Sequence, residues 1–156
     1  MTPPSTESPD VRGGSHDRTP NRALLGEVAS LLARLSWVDG VSTFPANRPD
    51  SVYCDLVVEH YPKAVVSAAN LEIQAYTNGD FHISYIEIHH GSRYLVRWDR
   101  HDSPDYPRDH FHAPPAATHD SGQPRAYPPG LFEVLSDVVA PWIYERVGSL
   151  WDESDG

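Results

Sequence analysis

The chain has 156 residues, of which 39% are hydrophobic, and a formal net charge of -10. This length suits one domain with a hydrophobic core, and no run of about 18 apolar residues predicts a membrane-spanning helix. Cys54 is the only cysteine, which excludes an intramolecular disulfide and is consistent with a reducing compartment. Residues 1–20 contain no apolar stretch of the kind that a signal peptide needs. We therefore expect a cytoplasmic protein that does not enter a membrane.

Acidic residues outnumber basic ones by 22 to 12, and Lys63 is the only lysine. Such a surface opposes the binding of a phosphate backbone, which normally requires a basic patch. The same composition resembles that of halophilic proteins, whose surface carboxylates retain water and ions. We favour the halophilic interpretation, under which the acidic charge reflects the solvent and does not exclude an RNA substrate.

The N-terminal part of the chain predicts a tail followed by a helix. Residues 1–18 offer little apolar surface to bury and are expected to form a disordered tail. Thr19-Pro20 has the residue types of a helix start, and Asp39-Gly40 is expected to end the helix. Between them, apolar residues recur at helical spacing, which predicts one buried stripe: Leu24, Leu25, Val28, Leu31, Leu32 and Leu35.

From residue 41 to residue 99, apolar residues recur at every second position, which predicts strands. The expected strands cover 41–46, 52–58, 71–75, 81–88 and 93–99. Asn78-Gly79 predicts a two-residue hairpin turn between Tyr76 and Phe81, and His89-His90-Gly91-Ser92 predicts a second turn. The pattern therefore indicates an antiparallel meander of four to five strands.

The C-terminal third is expected to contain a long loop and a helix. Residues 100–129 show no regular period and are rich in proline, and such a long loop is usually functional or disordered. A second apolar stripe starts at Leu131, with a kink or restart expected at Pro141. Residues 151–156 are expected to be a frayed acidic end. The predicted fold is α+β: a single domain at 19–150, with an N-terminal and a C-terminal helix flanking the meander.

The candidate catalytic residues lie at the end of the last predicted strand and in the loop that follows it. Arg97 and Asp99 leave the same face of that strand, and they could bind a phosphate and orient a histidine, or form an ordinary surface ion pair. If His110-Phe111-His112 is extended, both of its imidazoles point to one side. Because imidazoles titrate near neutrality, such a pair suits general base and general acid roles.

Metal-free RNA cleavage is the reaction that this set would serve. One of His110 and His112 would take the proton of the 2′-hydroxyl, and the other would protonate the leaving 5′-oxygen. Arg97 would stabilise the charge on the phosphorane, and Asp99 would fix the tautomer of a histidine. Further contacts to the substrate are expected from Arg100 and His101.

Two alternatives use the same residues differently. His110, His112 and His119, with Asp99 or Asp109, could bind zinc or a related ion. However, an HxH pair is only a fragment of a metal motif, so we prefer the interpretation without a cofactor. The second alternative is that these histidines are ordinary solvated loop residues.

The order of several short motifs, taken together, is similar to that of a known family. Arg97-Trp98-Asp99 ends a strand, a proline-rich loop with His110-x-His112 follows, and Pro129-Gly130-Leu131-Phe132-Glu133-Val134-Leu135 opens the final helix. This order resembles the TumE family of toxins from toxin–antitoxin systems, and the resemblance covers roughly residues 70–147, about half of the chain. It implies a short helix and an antiparallel meander.

The resemblance also implies a function. It predicts a small toxin that acts on RNA and is neutralised by a co-encoded antitoxin, so an antitoxin protein and RNA are the expected partners. The alternative is a non-catalytic binding domain, either with or without a metal ion that stabilises it. In that case the loop or a strand edge would be the surface for a partner.

Overall fold

The computed structural model describes residues 18–155, so the predicted tail at 1–18 lies outside the described residues except for Arg18. Helix α1 spans Arg22–Leu32. Seven strands follow in chain order: β1 Val38–Phe44, β2 Ser51–Leu56, β3 Val66–Ala75, β4 Phe81–His89, β5 Ser92–Arg100, β6 Asp109–His112 and β7 Gly122–Pro124. The C-terminal helical region consists of α2 (Leu131–Val134), a π-helical segment (Leu135–Val139) and α3 (Ala140–Asp155).

All seven strands belong to one antiparallel sheet, in which their spatial order is their order in the chain. The predicted α+β class is therefore confirmed, but the sheet is larger than the four to five strands expected. The two additional strands, β6 and β7, lie within the segment that was predicted to be a loop. They are short and have little periodicity of their own. Strand β6 is extended because of the hydrogen bonds that it forms with β5.

Both predicted turns connect neighbouring strands of the meander, but the first is longer than the two residues expected, because Ala75 and Phe81 are the last paired residues of β3 and β4. The β3–β4 turn contains Asn78 and Gly79, and Gly79 has a φ of 91°, which glycine adopts without strain. In the β4–β5 turn, His89 pairs with Ser92. The two residues between them, His90 and Gly91, have φ values of 50° and 80°, as a two-residue hairpin turn requires.

The helices pack on one face of the sheet and form the hydrophobic core with it. Helix α1 packs against β1, β2 and β3, and its buried residues are Leu25, Val28 and Leu32. From the C-terminal helix, the Trp142 ring lies 5.0 Å from that of Tyr85 and 5.5 Å from that of Trp98, measured between centroids. Because side chains alternate along a strand, every second residue of β4 and β5 lies on the opposite face of the sheet, away from the helices.

One ion pair lies within this core. Glu87 in β4 is fully buried, and its carboxylate accepts hydrogen bonds from Nε and Nη2 of Arg146 at 3.0 and 2.7 Å. The Tyr85 hydroxyl donates a third hydrogen bond to Glu87, at 2.6 Å. The Arg146 guanidinium also lies 3.7 Å above the ring of Tyr94. A charge-assisted network therefore links α3 to the sheet.

The ends of α1 differ from the prediction. Thr19 and Pro20 are not helical, because the Thr19 carbonyl accepts from the backbone N–H of Thr77 and this segment lies along the end of β3. Asn21 is the N-cap instead, and its side chain accepts from the backbone N–H of Leu24. The helix ends at Leu32, and the expected helix stop at Asp39-Gly40 lies inside strand β1.

The C-terminal helix also differs from the prediction at its end. The irregularity expected near Pro141 is the π-helical segment, which ends at Val139, two residues before it. Proline has no backbone N–H to continue the regular pattern. Residues 151–155, expected to be frayed, are helical, and the Trp151 indole holds this end by donating to the His60 carbonyl at 2.8 Å. No helix within residues 18–155 combines the length and apolar content needed to cross a membrane.

Candidate active site

The face of the sheet that points away from the helices carries two adjacent rows of polar side chains. The register of β4, β5 and β6 aligns one row across the strands: His82, Asp99 and His110. It aligns a second row beside the first: Ser84, Arg97 and His112. Neighbouring side chains on one face of a sheet are within contact distance, so strand pairing brings these residues into one site.

Asp99 lies at the centre of this site. It is fully buried; its Oδ1 lies 2.9 Å from Nδ1 of His82, and its Oδ2 accepts from Nε of Arg97 at 2.8 Å. Burial raises the pKa of Asp99. The imidazoles of His101 and His82 and the charge of Arg97 lower that pKa by more than burial raises it. The pKa of Asp99 therefore lies well below its ordinary value, and the carboxylate is ionised at neutral pH.

Three further imidazoles are directed at the same carboxylate oxygen. The distance from Nε2 to Oδ2 of Asp99 is 3.4 Å for His112 and 3.7 Å for both His101 and His110. We call Asp99 with these three residues and His82 the histidine cluster. The sequence predicted that Asp99 would orient one histidine, whereas the structure places four around it.

The backbone determines the tautomer of these three imidazoles. Their Nδ1 atoms lie 2.8–2.9 Å from the carbonyl oxygens of Asp102 (His101), Pro107 (His110) and Thr118 (His112). A carbonyl oxygen can only accept a hydrogen bond, so Nδ1 must carry the proton in each ring. The Nε2 atom of each ring then faces Asp99, either as a lone pair or as a second N–H.

The imidazoles differ in exposure and in acidity. The side chains of His110 and His112 are only 1% and 2% exposed, whereas that of His101 is 26% exposed. Asp99 raises the pKa of His101, although burial opposes this. Burial lowers the pKa of His112, with further contributions from Arg97 and His110. The buried His112 therefore favours the neutral form, and the more accessible His101 favours the protonated form.

Tyr106 covers the two buried imidazoles. Its ring lies 5.6 Å from that of His110 in a stacked orientation, and its hydroxyl donates to the His119 carbonyl at 2.7 Å. The ring also lies against Gly122 of β7, because a Cβ atom at that position would be only 2.4 Å from Cζ of Tyr106. Glycine is therefore required there for the close approach, and Tyr106 closes the site above His110 and His112.

Three residues predicted for the site lie away from Asp99: Arg100, Asp109 and His119. Arg100 points to the helix-facing side of β5, where it binds both carboxylate oxygens of Asp109 at 2.7 and 3.0 Å. Its remaining hydrogen bonds go to the carbonyls of Pro128 and Pro129 among others. The side chain of His119 is 64% exposed and pairs with Asp105. The structure thus places neither the Arg100 guanidinium nor the His119 imidazole at Asp99.

Two residues of the site were not singled out from the sequence. His82 lies inside a predicted strand. Pairing of His89 with Ser92 across the turn places His82 opposite Asp99, so its position could have been predicted from the strand register. Tyr106 had no such signal, because it belongs to an irregular segment. Arg18 adds a further contact, since its Nη2 lies 2.9 Å from Nε2 of His82.

With this geometry established, comparison with known proteins identifies the family. The family described as Toxin TumE matches residues 28–147, which include all seven strands and the whole histidine cluster. The chain therefore belongs to the TumE toxin family, as the resemblance predicted. Membership indicates a toxin of a toxin–antitoxin system and implies a cognate antitoxin as its partner. No curated protein and no solved structure matches the chain.

Proposed function

We propose that this toxin cleaves RNA by general acid–base catalysis on the face of the sheet that points away from the helices, without a metal ion. The observation that carries the proposal is the convergence of His110, His112 and Arg97 on one buried carboxylate. The rings of His110 and His112 lie 5.1 Å apart. A proton acceptor, a proton donor and a cation for the phosphate are thus available from side chains alone.

The reaction needs one imidazole in the neutral form and one in the protonated form. The neutral member of the His110–His112 pair removes the proton of the 2′-hydroxyl, and the 2′-oxygen attacks the adjacent phosphorus. The bond from phosphorus to the 5′-oxygen breaks, and the protonated member gives its proton to that oxygen. The products are a 2′,3′-cyclic phosphate and a free 5′-hydroxyl.

Arg97 and Asp99 support this step electrostatically. Among the described residues, Arg97 forms a hydrogen bond only through Nε, and its side chain is 34% exposed. Its terminal amino groups are therefore available to a phosphate. Asp99 anchors Arg97 and stabilises the imidazolium that forms when a neighbouring histidine takes up a proton. His101, on the accessible side, would contact the substrate.

The burial of His110 and His112 supports a second candidate function. A toxin that acts only by binding its target would use the histidine cluster as structural support beneath Tyr106. RNA cleavage requires the Tyr106 ring to move so that a phosphate reaches the imidazoles, whereas binding alone does not. The two candidates therefore differ in what substitution of the histidines should do.

The test measures RNA cleavage by the purified chain in the presence of a chelator. The wild type should produce 2′,3′-cyclic phosphate ends, and His110→Gln and His112→Gln should each cleave at least about 100-fold more slowly. His119→Gln is the matched control, since this histidine lies outside the cluster, and it should cleave as the wild type does. Expression of each variant without antitoxin reports growth arrest in parallel.

Two results would reject acid–base catalysis. The first is full cleavage by folded His110→Gln and His112→Gln variants, and the second is loss of wild-type cleavage on chelation alone. If no RNA is cleaved but both variants still arrest growth, the non-catalytic function is supported instead.

A further inference from the structure

We propose that Asp99, His110 and His112 also bind a divalent transition-metal ion of the zinc class, and that this ion competes with the protons of the cleavage reaction. One ligand atom from each residue lies within 4.8 Å of the others. The binding site stands on the geometry alone, whereas the competition rests on the proposed RNA cleavage.

The distances within the cluster fit shared coordination better than direct hydrogen bonds. A charged imidazole N–H donating to a carboxylate would place the nitrogen about 2.7–2.9 Å from the oxygen. The observed separations from Oδ2 of Asp99 are 3.4 Å for His112 and 3.7 Å for His110. Two ligands of one tetrahedral zinc ion, each bonded at about 2.0–2.1 Å, lie about 3.3 Å apart.

The protonation of the rings suits metal binding as well. His110 and His112 donate through Nδ1 to backbone carbonyls, and in the neutral form each presents an Nε2 lone pair to Asp99. A carbonyl that accepts from the distal nitrogen is a frequent outer partner of a metal-bound histidine.

Asp99 is also held in the orientation that a ligand would need. His82 lies at Oδ1 and Arg97 donates to Oδ2, which leaves the second lone pair of Oδ2 for an ion. The Nε2 atom of the more accessible His101 lies 3.7 Å from that oxygen, so the fourth position can be taken by His101 or by water.

The donor set determines the class of ion. Two imidazole nitrogens and one carboxylate oxygen suit zinc, cobalt and nickel, whereas calcium and magnesium prefer sites built from oxygen alone. All three ligands are at most 2% exposed, so a bound ion would be shielded from water. The site keeps His110, His112 and Asp99 from the sequence-based metal hypothesis, whereas His119 pairs with Asp105 and lies outside it.

Competition follows from the chemistry of the imidazole nitrogen. An Nε2 lone pair that coordinates a metal ion cannot accept a proton at the same time, and a coordinated ring has no N–H to donate from that atom. The zinc-bound toxin should therefore be a poor ribonuclease, and removal of the ion should activate it. This regulation acts on the same residues that the cleavage reaction uses.

The test uses the untagged full chain, freed of metal with a chelator and then titrated with Zn²⁺ by calorimetry. Binding should occur at one ion per chain and should raise the melting temperature. His110→Gln and His112→Gln should each weaken binding by about 100-fold or more, and His119→Gln should bind as the wild type does. Circular dichroism checks that each variant is folded.

A measurement on the wild type keeps the test decisive if a variant fails to fold. X-ray absorption of the zinc-bound protein should show nitrogen and oxygen ligands, with scattering from at least two imidazoles. No binding in calorimetry, a shell without imidazole, or loss of binding in His119→Gln would each overturn the site.

RNA cleavage is then compared with and without Zn²⁺. Loss of cleavage on addition of zinc, with recovery after chelation, supports competition; unchanged or increased cleavage overturns it. If the metal-free wild type does not cleave RNA, the proposed function and the competition both fail. Calorimetry and X-ray absorption still decide the metal site in that case.

Discussion

Replacement of Arg146 by methionine tests how much the buried Glu87 carboxylate depends on its positively charged partner. The substitution removes both hydrogen bonds from Arg146 to Glu87, at 3.0 and 2.7 Å. Among the described residues, the Tyr85 hydroxyl is then the one donor left to the fully buried Glu87 carboxylate. Methionine replaces the aliphatic part of the arginine side chain, so loss of the guanidinium, with its contact to the Tyr94 ring, is the main change.

The expected loss of stability follows from this geometry. Removal of one partner of a buried ion pair costs about 3–5 kcal/mol, because the other charge remains buried without compensation. For a chain of this size, each kcal/mol corresponds to roughly 2–4 °C in the melting temperature. Arg146→Met should therefore lower the melting temperature by about 6–20 °C.

The assay is equilibrium unfolding in urea, completed as a double-mutant cycle with Glu87→Gln. The double variant carries neither charge, and its amide oxygen can still accept from Tyr85. It should therefore be more stable than Arg146→Met alone, with a coupling free energy above about 1 kcal/mol. A loss below about 1 kcal/mol in Arg146→Met, or strictly additive single substitutions, would refute the reasoning.

Three further predictions concern other parts of the molecule. Burial raises the pKa of the Cys54 thiol to about 12, so a thiol reagent should label it only as the protein unfolds; rapid labelling of the native protein would contradict this. Gly122→Ala should cost about 1–3 kcal/mol in urea unfolding, because the new Cβ would be 2.4 Å from the Tyr106 ring. The cost should disappear in a Tyr106→Ala background, and its persistence there would disprove the clash. Trp151→Phe should cost about 0.5–1.5 kcal/mol by removing the hydrogen bond to the His60 carbonyl, and it should speed amide exchange at the end of α3; unchanged exchange would show that this contact does not hold the helix end.

The central part of the fold was predictable because its signals are local. The period of two between residues 41 and 99 and the turns at Asn78-Gly79 and His89-His90-Gly91-Ser92 are properties of short segments. If His89 and Ser92 pair across the second turn, the register of β4 and β5 places His82 opposite Asp99. The same alternation puts Arg97 and Arg100 on opposite faces of β5. The place of Arg100 on the helix-facing side could therefore have been predicted from the sequence, and the prediction of a substrate contact was wrong in this respect.

Strands β6 and β7 were not predictable in this way. Their residues have no period of their own, and they are extended because the edge of β5 offers hydrogen-bonding groups to pair with. The N-cap of α1 lies at Asn21 rather than Thr19 for a similar reason, since the Thr19 carbonyl accepts from Thr77 at the end of β3. A pairing partner that is remote in sequence cannot be recognised from a local pattern.

The sequence by itself determined the α+β class, the meander and the likeness to the TumE family. It placed His110 and His112 on one side of their segment only on the condition that this segment is extended, which the pairing of β6 with β5 decided. Only the tertiary structure decided that these histidines meet Asp99, that Tyr106 covers them and that His119 stays outside. The physical reason is that periodicity and turn chemistry act between neighbours in the chain. The histidine cluster instead depends on three paired strands and on backbone carbonyls that orient each ring.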